Sequence, residues 1–553
     1  MEAYMSFKPR DYQLDFHEAT VSHFRSGGTA IMGVSPPRSG KGTIIAMQAS
    51  MSASKGNQVL CFVHKAELVT EIKKRLNKQF GMDCGILMRG HKVDKTKLIQ
   101  VGSVMTMIRR NLDWLEPKLI ITDECHRLPS NSQIGLINFF KERGNPKLIG
   151  FTATPTREDK RDFVGIFDKI HQITTWRQQL ERKVLVPCVV KAPKGANLEG
   201  VKIKWSAQNG YEFDEAEQAK RFSEERVLAA LYMKWMEYTG GKMQTVCFNI
   251  NKIHNKTVCD FFRARGVNAR YVDEKTPDKE RADILEKFYK GPFCEDPIMF
   301  LGNISIFSEG IDCPTAKCVI GNFMSNSFAK YVQSFARGAG AMLVDKDNRE
   351  WICDYFKVPH GSLGEVGEWL RLPNGEYYKE KTIILDFGGN TERHGMLQDY
   401  DVIPFDLSGK RKDGGIAPTR KCPECLTVCY ASHKVCPTCG FDFPIIVKKD
   451  EKMYADEIEW GEVDDVKSMR LKVAKMSVKQ LNAAEPHMLR IIAHCKGHGN
   501  VWIAHMMKHR KMIPWFNNDQ ESWKKLWVML EETERKHGTY DMYQSLKGGR
   551  VLG

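Results

Sequence analysis

Short apolar runs without polar alternation recur along this chain, each separated from the next by a charged amphipathic stretch. Residues 59–63, 148–151, 245–248, 298–301 and 318–320 are apolar or β-branched throughout, the pattern of strands covered on both faces, as in a parallel sheet. Between them, 66–80 and 279–289 place apolar residues at helical spacing, with lysine on the other side. The expected fold class is α/β, with doubly wound parallel sheets. A chain of 553 residues exceeds one core and implies several domains.

One such run, Ile120-Ile121-Thr122, delivers Asp123, Glu124, Cys125 and His126 to its end. Adjacent carboxylates at a strand end suit metal-nucleotide chemistry, one holding a hard cation and the other polarising water. Upstream, residues 31–34 read as a strand, Ser35-Pro36-Pro37-Arg38-Ser39-Gly40-Lys41-Gly42 as a turn, and Thr43 onward as a helix. Backbone N–H groups at such a helix start attract phosphate oxygens, and Lys41 adds a mobile charge. Alone, each motif reads equally as a surface turn. Their order and spacing favour the phosphate site.

Further segments follow in order: Arg10-Asp11-Tyr12-Gln13, Val63-His64-Lys65-Ala66-Glu67-Leu68, Gly102-Ser103-Val104-Met105, Phe151-Thr152-Ala153-Thr154-Pro155, Ser308-Glu309-Gly310-Ile311-Asp312-Cys313-Pro314 and Tyr331-Val332-Gln333-Ser334-Phe335-Ala336-Arg337-Gly338. The set resembles the motifs of superfamily 2 DEAH/DECH-box helicases and, among them, the RadD-like proteins of phage or mobile-element type. That resemblance implies two RecA-like lobes with ATP and Mg2+ in the cleft between them. It implies catalytic roles for Lys41, Asp123, Glu124, His126, Gln333 and Arg337. Nucleotide contacts would come from Arg10, Gln13, the loop from Ser35 to Thr43, Gly310 and Asp312. Nucleic-acid contacts would come from His64, Lys65, Gly102, Ser103, Thr276 and Arg281, with Thr152 and Thr154 coupling hydrolysis to movement. Two positions depart from the family pattern. Gly42 stands where a magnesium-ligating hydroxyl is usual, with Thr43 one residue late, and Gly340 stands where a second arginine is usual. Either departure would slow hydrolysis, while the surviving Lys41, Asp123, Glu124, Gln333 and Arg337 favour an active ATPase.

Lysine and arginine number 83 against 68 acidic residues, a formal charge of +15, which favours a polyanionic partner. The resemblance prefers single-stranded or branched DNA and leaves RNA open. The start of the chain is charged, without an apolar signal region, and nowhere do eighteen apolar residues run together. No membrane partner is expected, and the expected location is cytoplasmic, in a bacterial host or phage-infected cell. Of 16 cysteines, Cys61, Cys247 and Cys318 lie in apolar runs, consistent with a reducing compartment. Cys422-Pro423-Glu424-Cys425 and Cys436-Pro437-Thr438-Cys439 are different: two CPxC knuckles suit a closed four-cysteine zinc (Zn2+) site. Cys429 and His433 lie inside the loop as spare ligands.

The domain reading is 1–170 first lobe, 171–240 insertion, 241–400 second lobe, 418–446 zinc ribbon, 447–465 acidic linker and 466–546 helical accessory region. In the last, Leu471, Val473, Met476 and Leu481 are interspersed with lysine. Trp502, His505, His509, Arg510, Lys511, Trp515, Trp523, Lys524, Lys525 and Trp527 interleave rings and cations. This suits base stacking, an ordinary helical core or a protein partner. His494, Cys495 and His498 lack a second knuckle. The leading functional expectation is an ATP-dependent translocase that unwinds or remodels DNA. A hydrolysis-deficient zinc-bearing adaptor and the motor subunit of a restriction or defence complex stay open.

Overall fold

A computed structural model describes residues 9–444 other than 64–65, 129–130, 156–161, 194, 197–198, 207–209, 274–275, 305–312, 403–405 and 409–416, and beyond them 473, 484–496, 500–537, 539–541 and 543–544. The chain divides into two compact units, Met1–Pro444 and Ile445–Gly553.

In the first unit, β1 (Ala30–Val34), β2 (Val59–Val63), β3 (Gly85–Leu87), β4 (Ile99–Ser103), β5 (Leu119–Thr122), β6 (Lys147–Thr152) and β7 (Lys169–Gln172) form a parallel sheet of order β3-β4-β2-β5-β6-β1-β7. Strand pleating explains the unalternating sequence. Val59, Cys61 and Val63 join one core with Ile31, Ile121 and Ile149, whereas Leu60 and Phe62 join another with Met32 and Ile120 on the opposite face. Helices α1 (Asp11–Arg25), α2 (Lys41–Ala53) and α3 (Ala66–Phe80) pack on the first face through Phe16, Ile44, Val69, Ile72 and Leu76.

A second parallel sheet uses β8 (Cys188–Lys191), β11 (Thr245–Phe248), β12 (Ala269–Tyr271), β13 (Phe300–Asn303), β14 (Cys318–Gly321) and β15 (Thr382–Asp386), in the order β12-β13-β11-β14-β15-β8. A two-stranded hairpin, β9 (Ile203–Ser206) and β10 (Gly210–Phe213), lies between the sheets in sequence. Helix Glu225–Thr239 drives Leu228, Leu231 and Trp235 into the second core, where Trp235 Nε1 donates to Thr245 Oγ1 at 2.8 Å. Residues 171–240 are therefore shared out: β7 completes the first sheet, and β8 edges the second. Before β8, the apolar residues Val184, Leu185 and Val186 form a lacing segment rather than part of the ladder. Val186 N donates to the Ala339 carbonyl at 2.7 Å and Ala341 N to the Val184 carbonyl at 3.0 Å, and the ladder resumes only after Pro187, which has no N–H.

Residues 417–444 form a small ribbon on the edge strand β8. Its antiparallel pair, β16 (Thr419–Lys421) and β17 (Val428–Tyr430), is followed by a second turn at 436–440. Lys191 Nζ reaches Thr427 Oγ1 at 2.6 Å and the Cys425 carbonyl at 2.9 Å, and Ala192 N donates to the Leu426 carbonyl at 2.9 Å. A covered edge cannot template pairing with another chain.

The second unit contains helices Leu489–Lys496, Asn500–His509 and Gln520–Lys536 around Ile491, Ile492, Ile503, Leu526 and Leu530. Trp502, Trp523 and Trp527 pack against this core, whereas Trp515 is 39% exposed. Leu471, Met476, Leu481, His498 and the acidic stretch 448–465 lie outside the described residues. No described helix is long and apolar enough to cross a membrane.

His254 is wholly buried in the second lobe, its Nδ1 accepting from Ile250 N at 3.3 Å and its Nε2 3.3 Å from Asn322 Nδ2. Burial pushes its pKa down to about 4. An unfolded chain takes up this proton near pH 6.5, so the stability held by the neutral ring is complete above that pH and is lost on acidification. Second-lobe stability is expected to fall by about 2 kcal/mol between about pH 6.5 and 5 from this group. Urea unfolding followed by tryptophan fluorescence checks it, with His254→Asn expected to flatten the slope.

Candidate active site

Three neighbouring strands of the first sheet end at one place. After β1, Ser35 N donates to the Thr152 carbonyl at 3.1 Å, and the chain turns through Pro36 to Gly40 before α2 begins at Lys41. Gly40 has φ +84, a region that glycine enters without a β-carbon clash. Ser39 Oγ donates within the loop to the Pro36 carbonyl at 2.7 Å and lies 2.8 Å from Ser35 Oγ, bracing the cradle. Lys41 Nζ lies over that cradle, 3.4 Å from the carbonyls of Ser35 and Pro36. Tyr12 OH donates to the Ser39 carbonyl at 2.8 Å, and Arg10 Nη1 donates to Tyr12 OH at 3.0 Å. Gln13 Nε2 lies 3.0 Å from where a β-carbon on Gly40 would stand. The N-terminal helix therefore clamps the loop.

At the end of β5, Glu124 adopts φ +48, a left-handed conformation costing roughly 1–2 kcal/mol for a residue with a side chain. It turns a buried carboxylate, 8% exposed, toward His126 Nδ1 at 3.2 Å. Asp123 Oδ1 accepts from Glu124 N at 2.9 Å. His126 Nδ1 is also 3.0 Å from Thr152 Oγ1 at the end of β6, and the same hydroxyl accepts from Thr154 N at 3.0 Å. The carboxylate pair, His126 and both threonines thus form one connected network.

The second lobe supplies helix Phe328–Phe335 and the turn Ala336–Gly338, which bring Gln333 and Arg337 to the same place, 6% and 7% exposed. A cavity of about 310 Å³ is lined from one side by Gln13, Arg38, Gly40, Lys41, Asp123 and Glu124, and from the other by Gln333, Arg337 and Gly340. Arg10, Pro37, Gly42 and Thr43 also line it. Ser35, Pro36 and Ser39 are bonded to one another within the loop itself. An adjoining cavity of about 750 Å³ shares Arg10, Val184 and Leu343 and is lined by Arg182, Trp369 and Tyr377.

Other sequence candidates lie elsewhere. Gly102 is a packing glycine, since a β-carbon there would meet Met107 Sδ at 2.8 Å, and Ser103 Oγ donates to Thr106 Oγ1 at 2.9 Å. Thr276 and Arg281 close a local turn with Asp273: Thr276 N donates to Asp273 Oδ1 at 3.0 Å and Arg281 Nη2 to the Asp273 carbonyl at 2.8 Å. His64, Lys65, Gly310 and Asp312 lie outside the described residues.

Sequence reasoning missed Glu71 and Arg75 of α3, which also line the cleft. Arg75 Nε donates to Glu71 Oε1 at 3.1 Å, and its Nη1 donates to Thr43 Oγ1 at 3.0 Å. A β-carbon on Gly42 would come 3.0 Å from Arg75 Nε. The i,i+4 spacing of Glu71 and Arg75 was the available signal, but it reads equally as a solvated helix face.

In the ribbon, Sγ atoms of Cys422, Cys425, Cys436 and Cys439 lie within 4.8 Å of one another. Two edges of the group, Cys422–Cys439 and Cys425–Cys436, measure 3.6 and 3.7 Å. Cys429 and His433 are not members of it.

Residues 6–157 match the family described as type III restriction enzyme, res subunit, and residues 224–340 match the helicase conserved C-terminal domain. A 51.5 kDa protein of a Lactococcus phage (isolate 7-9) is 24% identical over 440 residues, covering 78% of this chain and 82% of that protein. IRC3 of Saccharomyces cerevisiae, to which its name ascribes ATP-dependent helicase character, is 30% identical over 345 residues, 60% of this chain. The matched part is 49% of IRC3, so the chain spans about half of that relative's length. The DNA 3'-5' translocase XPB2 of Sulfurisphaera tokodaii is 24% identical over 294 residues, 47% of this chain and 64% of that protein.

Proposed function

We propose, for a chain that belongs to the superfamily 2 helicases, that ATP hydrolysis in the inter-lobe cleft drives translocation on, unwinding of or remodelling of DNA. The observation that carries this reading is that Lys41 and Arg337, from different sheets, line one cavity with the Asp123–Glu124 pair. In the proposal, the loop from Ser35 to Gly42 cradles the phosphates, and Lys41 neutralises their terminal charge. Glu124 orients the attacking water, and Gln333 and Arg337 answer to the γ-phosphoryl group from the other lobe. Asp123 holds magnesium, whose chemistry when bound is charge neutralisation on the phosphates. Gln13 and Arg10 face the adenine end. The shared hydroxyl of Thr152 links Glu124 through His126 to the segment after β6, a route by which hydrolysis moves the nucleic-acid grip. His64, Lys65, Gly102, Ser103, Thr276 and Arg281 belong to that grip in the proposal. DNA as the polymer is supported by the +15 charge and by the DNA activity named for XPB2.

The four thiols fit zinc. Tetrahedral ligands at about 2.3 Å from zinc stand about 3.8 Å apart, close to the edges measured here, and a closed set of four thiolates leaves no position for a reacting water. Zinc in this proposal is structural, holding a ribbon whose own core is small.

A second reading, motor subunit of a restriction or defence complex, is favoured by the match of the first lobe to a restriction-enzyme subunit. Copurification with a nuclease subunit distinguishes it.

DNA-stimulated phosphate release is expected from the purified chain, falling at least about 100-fold in Lys41→Ala and Glu124→Gln. Equal rates in wild type and Lys41→Ala would remove the enzyme reading and leave the adaptor. For the ribbon, elemental analysis is expected to find one zinc per chain, lost in the Cys422→Ser, Cys439→Ser double variant. Full metal content in that variant would refute the four-cysteine assignment.

A further inference from the structure

Arg38 leaves its own lobe. Its backbone has φ +68, an uncommon state for a residue with a side chain, and the half-buried side chain crosses the cleft. There, Nη1 donates to the carbonyl of Arg337. The bond lands at the end of the helical segment that carries Gln333 and Arg337, where carbonyl oxygens attract cations. The neighbouring carbonyl, Gly338, is held from the second lobe itself, by Lys379 Nζ and Thr382 Oγ1 at 2.6 Å each.

Gly340 shows why the side chain fits. A β-carbon added there would fall on the Arg38 guanidinium, with Nη2 2.6 Å away. The space a side chain at 340 would fill therefore already contains a cation, delivered from the phosphate loop. The same cavity is lined by Lys41, Arg337 and the carboxylate pair.

We propose that Arg38 joins Arg337 as a second guanidinium acting on the terminal phosphoryl group, stabilising it in the transition state. This rests on the ATPase reading above. In the step concerned, a water oxygen bonds to the γ-phosphorus while the bond from that phosphorus to the β–γ bridging oxygen breaks. The electron pair stays on ADP, the water proton leaves by way of Glu124, and Arg38 forms no covalent bond. A guanidinium presents five N–H donors in a planar fork, so it can bridge a backbone carbonyl and phosphate oxygens at once. Because Arg38 rides on the loop that cradles the phosphates, its charge stays with the nucleotide. Its bond to the Arg337 carbonyl exists only while the lobes face each other, which makes the same side chain a latch between them.

The test uses the full-length chain, the fluorescent analogue trinitrophenyl-ATP for binding, and DNA-stimulated phosphate release for rate. Arg38→Ala is expected to lower kcat by at least about 100-fold, with arginine fingers setting the scale at about 10³ to 10⁵, and to leave analogue Kd within about threefold, a loss confined to the transition state. Adding Gly340→Arg to Arg38→Ala is expected to recover at least about tenfold, because the arginine returns to the same space from the other lobe. Three results would overturn the proposal: a wild-type rate in Arg38→Ala, a loss of binding in step with rate, or a double variant that melts with the wild type yet is no faster than Arg38→Ala. If Lys41→Ala already matches wild type, the ATPase reading itself falls. If dependence on Lys41 stands and Arg38→Ala is fully active, only this inference falls.

Discussion

A dense group of charges held between two parallel sheets is the constraint on which the remaining structure depends. Glu124 and Arg337 are nearly excluded from water, and Lys41, Arg38 and Asp123 are only half exposed around the same cavity. Charges in such a setting interact far more strongly than in water, and they are tolerated only when fixed and complemented. The sheets provide the fixing. Strands β1, β5 and β6 are adjacent in the first sheet, so the phosphate loop, the carboxylate pair and Thr152 emerge side by side at their carboxyl ends, the usual binding edge of such sheets.

Two glycines gain meaning from this crowding. At Gly42 and Gly340 the missing side chains leave space into which Arg75 and Arg38 extend. The folded cleft shows a guanidinium beside each glycine, one reaching from α3 to the Thr43 hydroxyl and one from the loop before α2 to the other lobe. At Gly340, a charge absent from the position itself is thus present in the space beside it.

The ribbon and the C-terminal unit show the opposite balance between local signal and context. Two CPxC knuckles name the members of the four-thiol group outright, because each turn brings its own thiols together; what they do not name is where the ribbon sits. Lys191 and Ala192, at the end of β8, decide that by bonding to Thr427 and Leu426. Among the C-terminal tryptophans, Trp523 and Trp527 lie against the helical core, and Trp515 lies toward solvent. Interleaved rings and cations did not distinguish these cases, since helical periodicity reports a face without reporting what covers it.

Much of the two-lobe fold was legible because its signals are local. Strand runs at 59–63 and 245–248, helix α3, the phosphate loop and the carboxylate strand end follow from side-chain patterning over a few residues. Where a neighbour decides, the sequence was silent: the strand at β8 starts later than its apolar run because residues 184–187 bond to the segment 339–341 instead. Sequence by itself determined two α/β lobes, a glycine-bearing turn between strand and helix, an acidic strand end and a four-thiol group, all of which depend on residue type and short spacing. Only the tertiary structure decided that Lys41 and Arg337 share one cavity and that Arg38 fills the space over Gly340. Those are distances between segments remote in the chain, set by sheet order and packing, and no local pattern encodes them.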